Sequence, residues 1–183
     1  MVQTLEPRER LKASLTELLE QRPLEQLTIA QIASNAQLSR ATFYRYYPDK
    51  YELANSIYGE SIARLDREYQ ASPADRSLVA LTMDYLKANA PLYRRLLAYD
   101  GQNSFRRYLK AYLRAYLTRP VPEAERTPRT MRAISFFANG LCDEISDWLS
   151  RGCEEDVDLL ADQYLGYMPQ QLRAYFRWFS LRQ

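Results

Sequence analysis

Histidine is absent from the 183-residue chain. Its absence removes the commonest general base and the commonest metal ligand together. Cysteine occurs only twice, at Cys142 and Cys153, which gives neither a disulfide framework nor the spacing of a zinc site. Two ordinary thiols in a reducing cytosol are the reading. Glycine is scarce, with five in all and the first at Gly59. A chain this poor in glycine cannot supply many tight hairpin turns, and abundant Leu, Ala, Arg, Glu and Gln favour helix. Long apolar runs are missing too. None approaches the ~18 residues of a membrane span, and no signal-peptide core opens the chain. A cytoplasmic protein without a membrane partner is expected. The sequence also lacks a phosphate-binding G-x-x-x-x-G-K-[ST] loop and the repeated Glu-x-x-His of a carboxylate-bridged metal bundle. No catalytic residue, no metal and no cofactor are expected, and the enzyme classes that need them are excluded. An excess of one charge is lacking as well: the net charge is +2, so the chain cannot coat DNA by bulk counterion release.

Hydrophobic residues make up 46% of the chain, enough to bury a sizeable core in one domain or in a small domain fused to a larger one. Prolines divide stretches of helical spacing. They predict helices over about 7–22, with Leu11, Leu15, Leu18 and Leu19 inward, then 28–35, 39–46, 49–70, 74–89, 91–99 and 102–119. A proline-rich loop over 120–128 precedes helices at 129–151 and 155–168. Pro169 interrupts the chain before a last apolar helix at 170–181, which carries Leu172, Tyr175, Phe176, Trp178 and Phe179. Strand-like alternation is absent, so the fold class is all-α.

Residues 27–53 read LTIAQIASNAQLSRATFYRYYPDKYEL and hold three capping signals. Thr28 with Gln31 forms a capping box, with Leu27 and Ile32 at the staple positions. Ser39 caps the next helix, leaving Asn35–Leu38 as a short turn, and Asp49 with Glu52 repeats the pattern. Two short helices separated by about four residues have the dimensions of a helix-turn-helix. In the second helix Phe43 and Tyr47 point inward, with Ile29, Ile32 and Ala33. The opposite face presents Arg40, Ala41, Thr42, Tyr44, Arg45 and Tyr46. Arg40 suits guanine O6/N7, and the methyls of Ala41 and Thr42 suit thymine. Tyr44 and Tyr46 suit phosphate oxygens. Lys50 opposes the dipole of the following helix, a conflict that a bound phosphate would relieve. Residues 1–55 carry seven Lys/Arg against seven Asp/Glu, so any DNA contact must come from placed residues.

This stretch resembles the N-terminal domain of the TetR family of bacterial regulators, and in particular the subgroup of the dihydroxyacetone-kinase regulator. Thr28, Ile32, Ala36, Leu38, Arg40, Thr42, Phe43, Tyr44, Tyr46, Tyr47, Asp49, Lys50 and Leu53 fill the places of that motif. The resemblance implies phosphate contacts at Thr28, Tyr44, Tyr46 and Lys50 and base contacts at Arg40, Ala41 and Thr42, with Ser39 and Arg45 alongside. It departs from the pattern at Gln37, where the family often has glycine; there the backbone must accept a left-handed conformation or alter the turn.

The resemblance implies two domains, 1–52 for DNA binding and 53–183 for ligand sensing and dimerisation. Fainter similarity continues at Phe137-Ala138-Asn139-Gly140, Trp148-Leu149 and Gly152. The stripes Ile134, Leu141, Ile145, Trp148 and Leu160, Tyr164, Met168 are expected to pair with their twins in a homodimer, although periodicity alone also allows them to serve the monomer's own core. Tyr58, Tyr85, Tyr108, Tyr112 and Phe137 are candidates for a ligand pocket. The expected function is a DNA-binding transcription regulator, a repressor, whose partners are double-stranded operator DNA, a second copy of itself and a small-molecule or protein effector. The alternative is a TetR-fold protein acting mainly through a protein partner.

Overall fold

The computed structural model describes residues 5–71 and 76–176. Every regular element among them is helical. The α-helices are α1 (Pro7–Gln21), α2 (Ile29–Asn35), α3 (Arg40–Tyr46), α4 (Lys50–Ala71), α5 (Leu78–Ala88), α6 (Ala90–Leu97), α7 (Phe105–Thr118), α8 (Pro128–Ser150), α9 (Val157–Gly166) and α10 (Gln170–Arg173). Short 3₁₀ turns occur at Leu24–Gln26 and at Glu123–Glu125. The second lies inside the expected 120–128 loop. The expected last helix is described only through α10; Trp178 and Phe179 lie outside the described residues. No helix among the described residues is long and apolar enough to cross a membrane.

The chain forms two compact units. The first comprises the residues up to Ser61 together with Pro91–Phe105, and the second comprises Ile62–Ala90 with the rest. In the first, α1 packs on α2 and α3. Leu11, Leu15, Ile32, Phe43 and Leu53 are wholly buried there, each contributing about 1.5–3 kcal/mol. Leu18 is only half-buried; Ser14 shares the buried face of α1 instead and donates to the Ile32 carbonyl at 2.8 Å. Tyr58 is also a core residue of this unit, edge-to-face against Tyr93 at 6.0 Å and Phe105 at 5.5 Å. Its ring is covered by these two aromatics.

In the second unit α5 runs along α9, and Arg76 ties them through Asp84 at 2.5 Å and Asp158 at 2.7 Å. Leu117, Val121, Ile134, Ala138, Met168, Leu172 and Phe176 form one core cluster, with Phe137 packed against it. Ile134, Ile145, Trp148, Tyr164 and Met168 are buried within a single protomer, because α8 and α9 spend their apolar faces on their own core. Leu141 and Leu160 are half-buried. Among the described residues of this unit the exposed large hydrophobic side chains are Phe136, 83% exposed, Leu159, 62%, and Tyr167, 71%.

The candidate nucleic-acid interface

Local chemistry fixes each helix of the motif. The Thr28 hydroxyl accepts from the Gln31 N–H at 3.2 Å, and Gln31 Oε1 accepts from the Thr28 N–H at 2.8 Å, a complete capping box. Ser39 Oγ accepts from the Thr42 N–H at 3.0 Å and opens α3. Asp49 Oδ1 accepts from the N–H groups of Tyr51 and Glu52, both at 2.8 Å, and opens α4. Each cap satisfies donors that the first turn of a helix leaves unpaired, for about 1 kcal/mol apiece.

The turn between α2 and α3 takes the left-handed route. Gln37 has φ +53°. The Leu38 N–H donates to the Ala33 carbonyl at 2.8 Å and the Gln37 N–H to that of Ser34 at 2.9 Å, the paired bonds of a Schellman ending. Arg10 reaches across from α1 and donates to the carbonyls of Ala36 at 2.6 Å and Gln37 at 3.0 Å. These bonds offset the cost of a side chain at positive φ and hold α3 at its angle. Gln37→Gly should therefore stabilise the protein by about 0.5–1 kcal/mol, read as a higher urea midpoint, and change DNA affinity less than about twofold.

On α3 the inward residues Phe43 and Tyr47 are buried. Arg40, Ala41, Tyr44 and Arg45 are exposed, and Thr42 and Tyr46 half-buried. Thr28 and Ser39 are exposed at the two helix starts. The Thr42 hydroxyl meets that of Ser39 at 2.9 Å. Arg45 donates to the Tyr46 hydroxyl at 3.1 Å and lies over its ring at 4.9 Å. Arg8 adds a cation beside the same helix, with its guanidinium 6.0 Å from the Tyr46 ring and 5.7 Å from that of Tyr47. The structure thus brings Ser39 through Tyr46 onto one helix and its cap, with a largely open polar face.

Lys50 has partners within the protein itself. Its ammonium donates to the carbonyls of Glu25 at 2.9 Å and Leu27 at 2.7 Å. The protein's own carbonyls around the 3₁₀ turn, not a phosphate alone, answer its charge, and burial lowers its pKa from the ordinary lysine value. The next residue is braced as well: Tyr51 stacks on Tyr99 at 5.0 Å. Burial, followed by the hydrogen bond with Tyr99, pushes its pKa up to about 12. Lys50→Ala should destabilise the DNA-free protein by about 1–2 kcal/mol, measured by denaturant unfolding. A lysine engaged only with phosphate would leave that stability unchanged.

Arg8, Arg10 and the turn at Leu24–Gln26 were not legible in the sequence. Their partners are 26 or more residues away for Arg10 and belong to other helices for Arg8, and no local pattern marks them. Of the proposed pocket residues, Tyr85 lies half-buried on α5. Tyr108 and Tyr112 lie half-buried on α7, their rings 6.0 Å apart.

Two short capped helices on a three-helix core, with the polar face of the second left open, define a helix-turn-helix protein. Residues 13–57 match the family model for bacterial regulatory proteins of the tetR family, and residues 76–170 match that for the transcriptional regulator C-terminal region. The chain belongs to the TetR family; it is a DNA-binding transcription regulator and not an enzyme. Family membership makes operator DNA its partner and a dimer its assembly. Among solved structures it is similar to the dihydroxyacetone kinase operon activator DhaS, at 17% identity and TM-score 0.62 over 93% of this chain and 98% of that one. It is also similar to a TetR regulator from Rhodococcus sp. RHA1, at 16% and 0.59 over 89% and 98%. A third is FadR from Bacillus subtilis in complex with stearoyl-CoA, at 19% and 0.55 over 88% and 97%. At these identities the likeness carries the fold alone. No curated protein sequence matches the chain.

Proposed function

We propose that the protein is a homodimeric repressor that reads a palindromic operator with α3 and releases it when an effector binds its C-terminal region. The exposed face of α3, held by the Ser39 cap and the Arg10-braced turn, is the observation that carries this reading. Arg40, Ala41 and Thr42 take the base edges, since the early residues of a recognition helix reach deepest into the major groove. Thr28, Ser39, Tyr44, Arg45 and Tyr46 take phosphates. Lys50 keeps two of its three donors on the protein and has one left for a phosphate. The functional division follows 1–52 and 53–183.

Phe136, Leu159 and Tyr167 supply the apolar part of the two-fold interface. Gly140, one turn from Phe136 on α8, has nothing within 4 Å of where a Cβ would stand, as does Gly166 on α9, so a partner helix can approach closely at both. The motif matches through Leu53 and the similarity to DhaS support placement near the dihydroxyacetone-kinase regulator subgroup. A small molecule is the effector favoured here, acting in the cytoplasm where the operator is. Gel shift and footprinting on the DNA upstream of the protein's own gene test this function. A protected inverted repeat is expected, and absence of any protected site there or in the flanking promoters would count against repression through DNA.

A further inference from the structure

Asp66 is a nearly buried carboxylate in the C-terminal half of α4, 8% exposed. Its Oδ2 accepts from Arg119 at 2.9 Å. Among the described residues its Oδ1 has only long contacts, to the Tyr116 hydroxyl at 3.4 Å and Gln70 Nε2 at 3.5 Å. A buried carboxylate is costly unless its oxygens are well paired, and this one is under-compensated on one side. The compensating cation is itself weakly held, since the Arg119 side chain is 66% exposed. That guanidinium also stands 5.2 Å from the centre of the Tyr116 ring. Carboxylate plus ring face is the arrangement that recognises an organic cation, and here the chain's own arginine occupies it.

The sequence pattern sets this place apart on its helix. Three Tyr-Leu pairs recur at a spacing of four: Tyr108-Leu109, Tyr112-Leu113 and Tyr116-Leu117. All three tyrosines are half-buried, forming an aromatic strip along one side of α7. At helical spacing Arg106, Arg107, Lys110 and Arg114 fall on the opposite side, where Asp143 pairs with Arg106 at 3.1 Å and Lys110 at 2.9 Å. Arg119, just past the end of α7, is the cation on the aromatic side. Burial and then the Asp66 charge raise the pKa values of Tyr112 and Tyr116, and the Tyr116 hydroxyl stands 3.4 Å from the carboxylate.

We propose that Asp66, with the rings of Tyr112 and Tyr116, is the recognition point for a small organic cation, an amidinium or primary ammonium on an apolar body, and that Arg119 holds its place until it binds. This deepens the effector-sensing reading and rests on it. An entering cation takes the Asp66 carboxylate, frees Arg119 from α4, and lays its apolar body along the tyrosine strip.

The test is calorimetric titration of the full-length protein with benzamidine and phenethylammonium. Benzamide and 2-phenylethanol serve as neutral isosteres, octanoyl-CoA as an anionic acyl probe, and operator binding is measured on the same preparations. Saturable binding of the cations and none of the isosteres is expected. Arg119→Ala, a change at an exposed side chain, should tighten cation binding about tenfold, because the competing guanidinium then no longer occupies the site for most of the time. Asp66→Asn in that background should abolish the gain, and Tyr116→Phe, which keeps the ring, should retain it. Equal affinity of wild type and Arg119→Ala, equal binding of benzamide and benzamidine, or no cation binding to either protein overturns the proposal. Binding of octanoyl-CoA alone overturns it too, yet leaves effector sensing standing. Loss of operator binding in every preparation would instead strike the repressor reading.

Discussion

Phe136→Glu should convert the dimer into a folded monomer that no longer holds a palindromic operator. Phe136 is 83% exposed on α8, so within one protomer the change is a surface substitution worth about ±0.5 kcal/mol. In a two-fold interface the same change appears twice, and each carboxylate loses water against an apolar partner at a cost of several kcal/mol. The protomer survives and the pair does not. Each protomer then loses the tethered contacts of its twin, so affinity for a full palindrome should fall by about 10²–10⁴-fold, while affinity for a half-site changes little. Sedimentation velocity and thermal unfolding distinguish this from misfolding: the monomer should retain most of the cooperative transition. Ile134→Glu is the contrasting variant. Ile134 is wholly buried in the core cluster, and a carboxylate there should unfold the second unit instead.

Arg40→Ala is expected to have the other large effect. Arg40 is exposed at the first position of α3, where a guanidinium can reach the paired acceptors of a guanine. Loss of such a bidentate contact costs roughly 1–3 kcal/mol per half-site and relaxes preference at one base position. In the dimer the loss counts twice, giving a fall of about 30-fold to more than 10⁴-fold for the operator. Free-protein stability should not change, since no packing is lost. Binding to a set of operators mutated at each position separates the possibilities. A collapse of preference at one symmetric pair of positions is expected, whereas a uniform loss over all variants would make Arg40 a phosphate contact.

The parts of this molecule that were legible in the sequence are those governed by neighbours within a turn or two. Thr28, Ser39 and Asp49 each cap a helix with bonds to residues two or three positions on, so their roles follow from spacing. The inward placement of Phe43 and Tyr47 follows equally from the helical period. Periodicity shows that a helix has an apolar face but not what covers it. For that reason the period of Ile134, Ile145 and Trp148 allows a partner chain or the protomer's own core, and only the fold shows these side chains buried within one protomer. Phe136, the residue proposed for the partner, stands off that stripe, and a large apolar side chain on the polar side of an amphipathic helix is the signal the sequence offers for it. The partners of Tyr58 and Lys50 were not legible for a related reason. Their surroundings come from segments 23 or more residues distant, and neither aromatic cover nor carbonyl partners leave a mark beside the residue itself. Asp66 and Arg119 are 53 positions apart, beyond any local pattern, although the four-residue Tyr-Leu spacing of α7 was open to view.

Capture of fragmented genomic DNA by the wild-type dimer and by an Arg40→Ala/Tyr44→Ala variant, followed by sequencing, tests whether α3 reads a palindromic operator. The wild type should enrich an inverted repeat whose half-sites lie on one face of the duplex, about one helical turn or a whole multiple apart, and the variant should lose that enrichment with unchanged stability and unchanged dimerisation. Enrichment that persists undiminished in the variant, or a wild-type protein that captures no repeat at all, would contradict it.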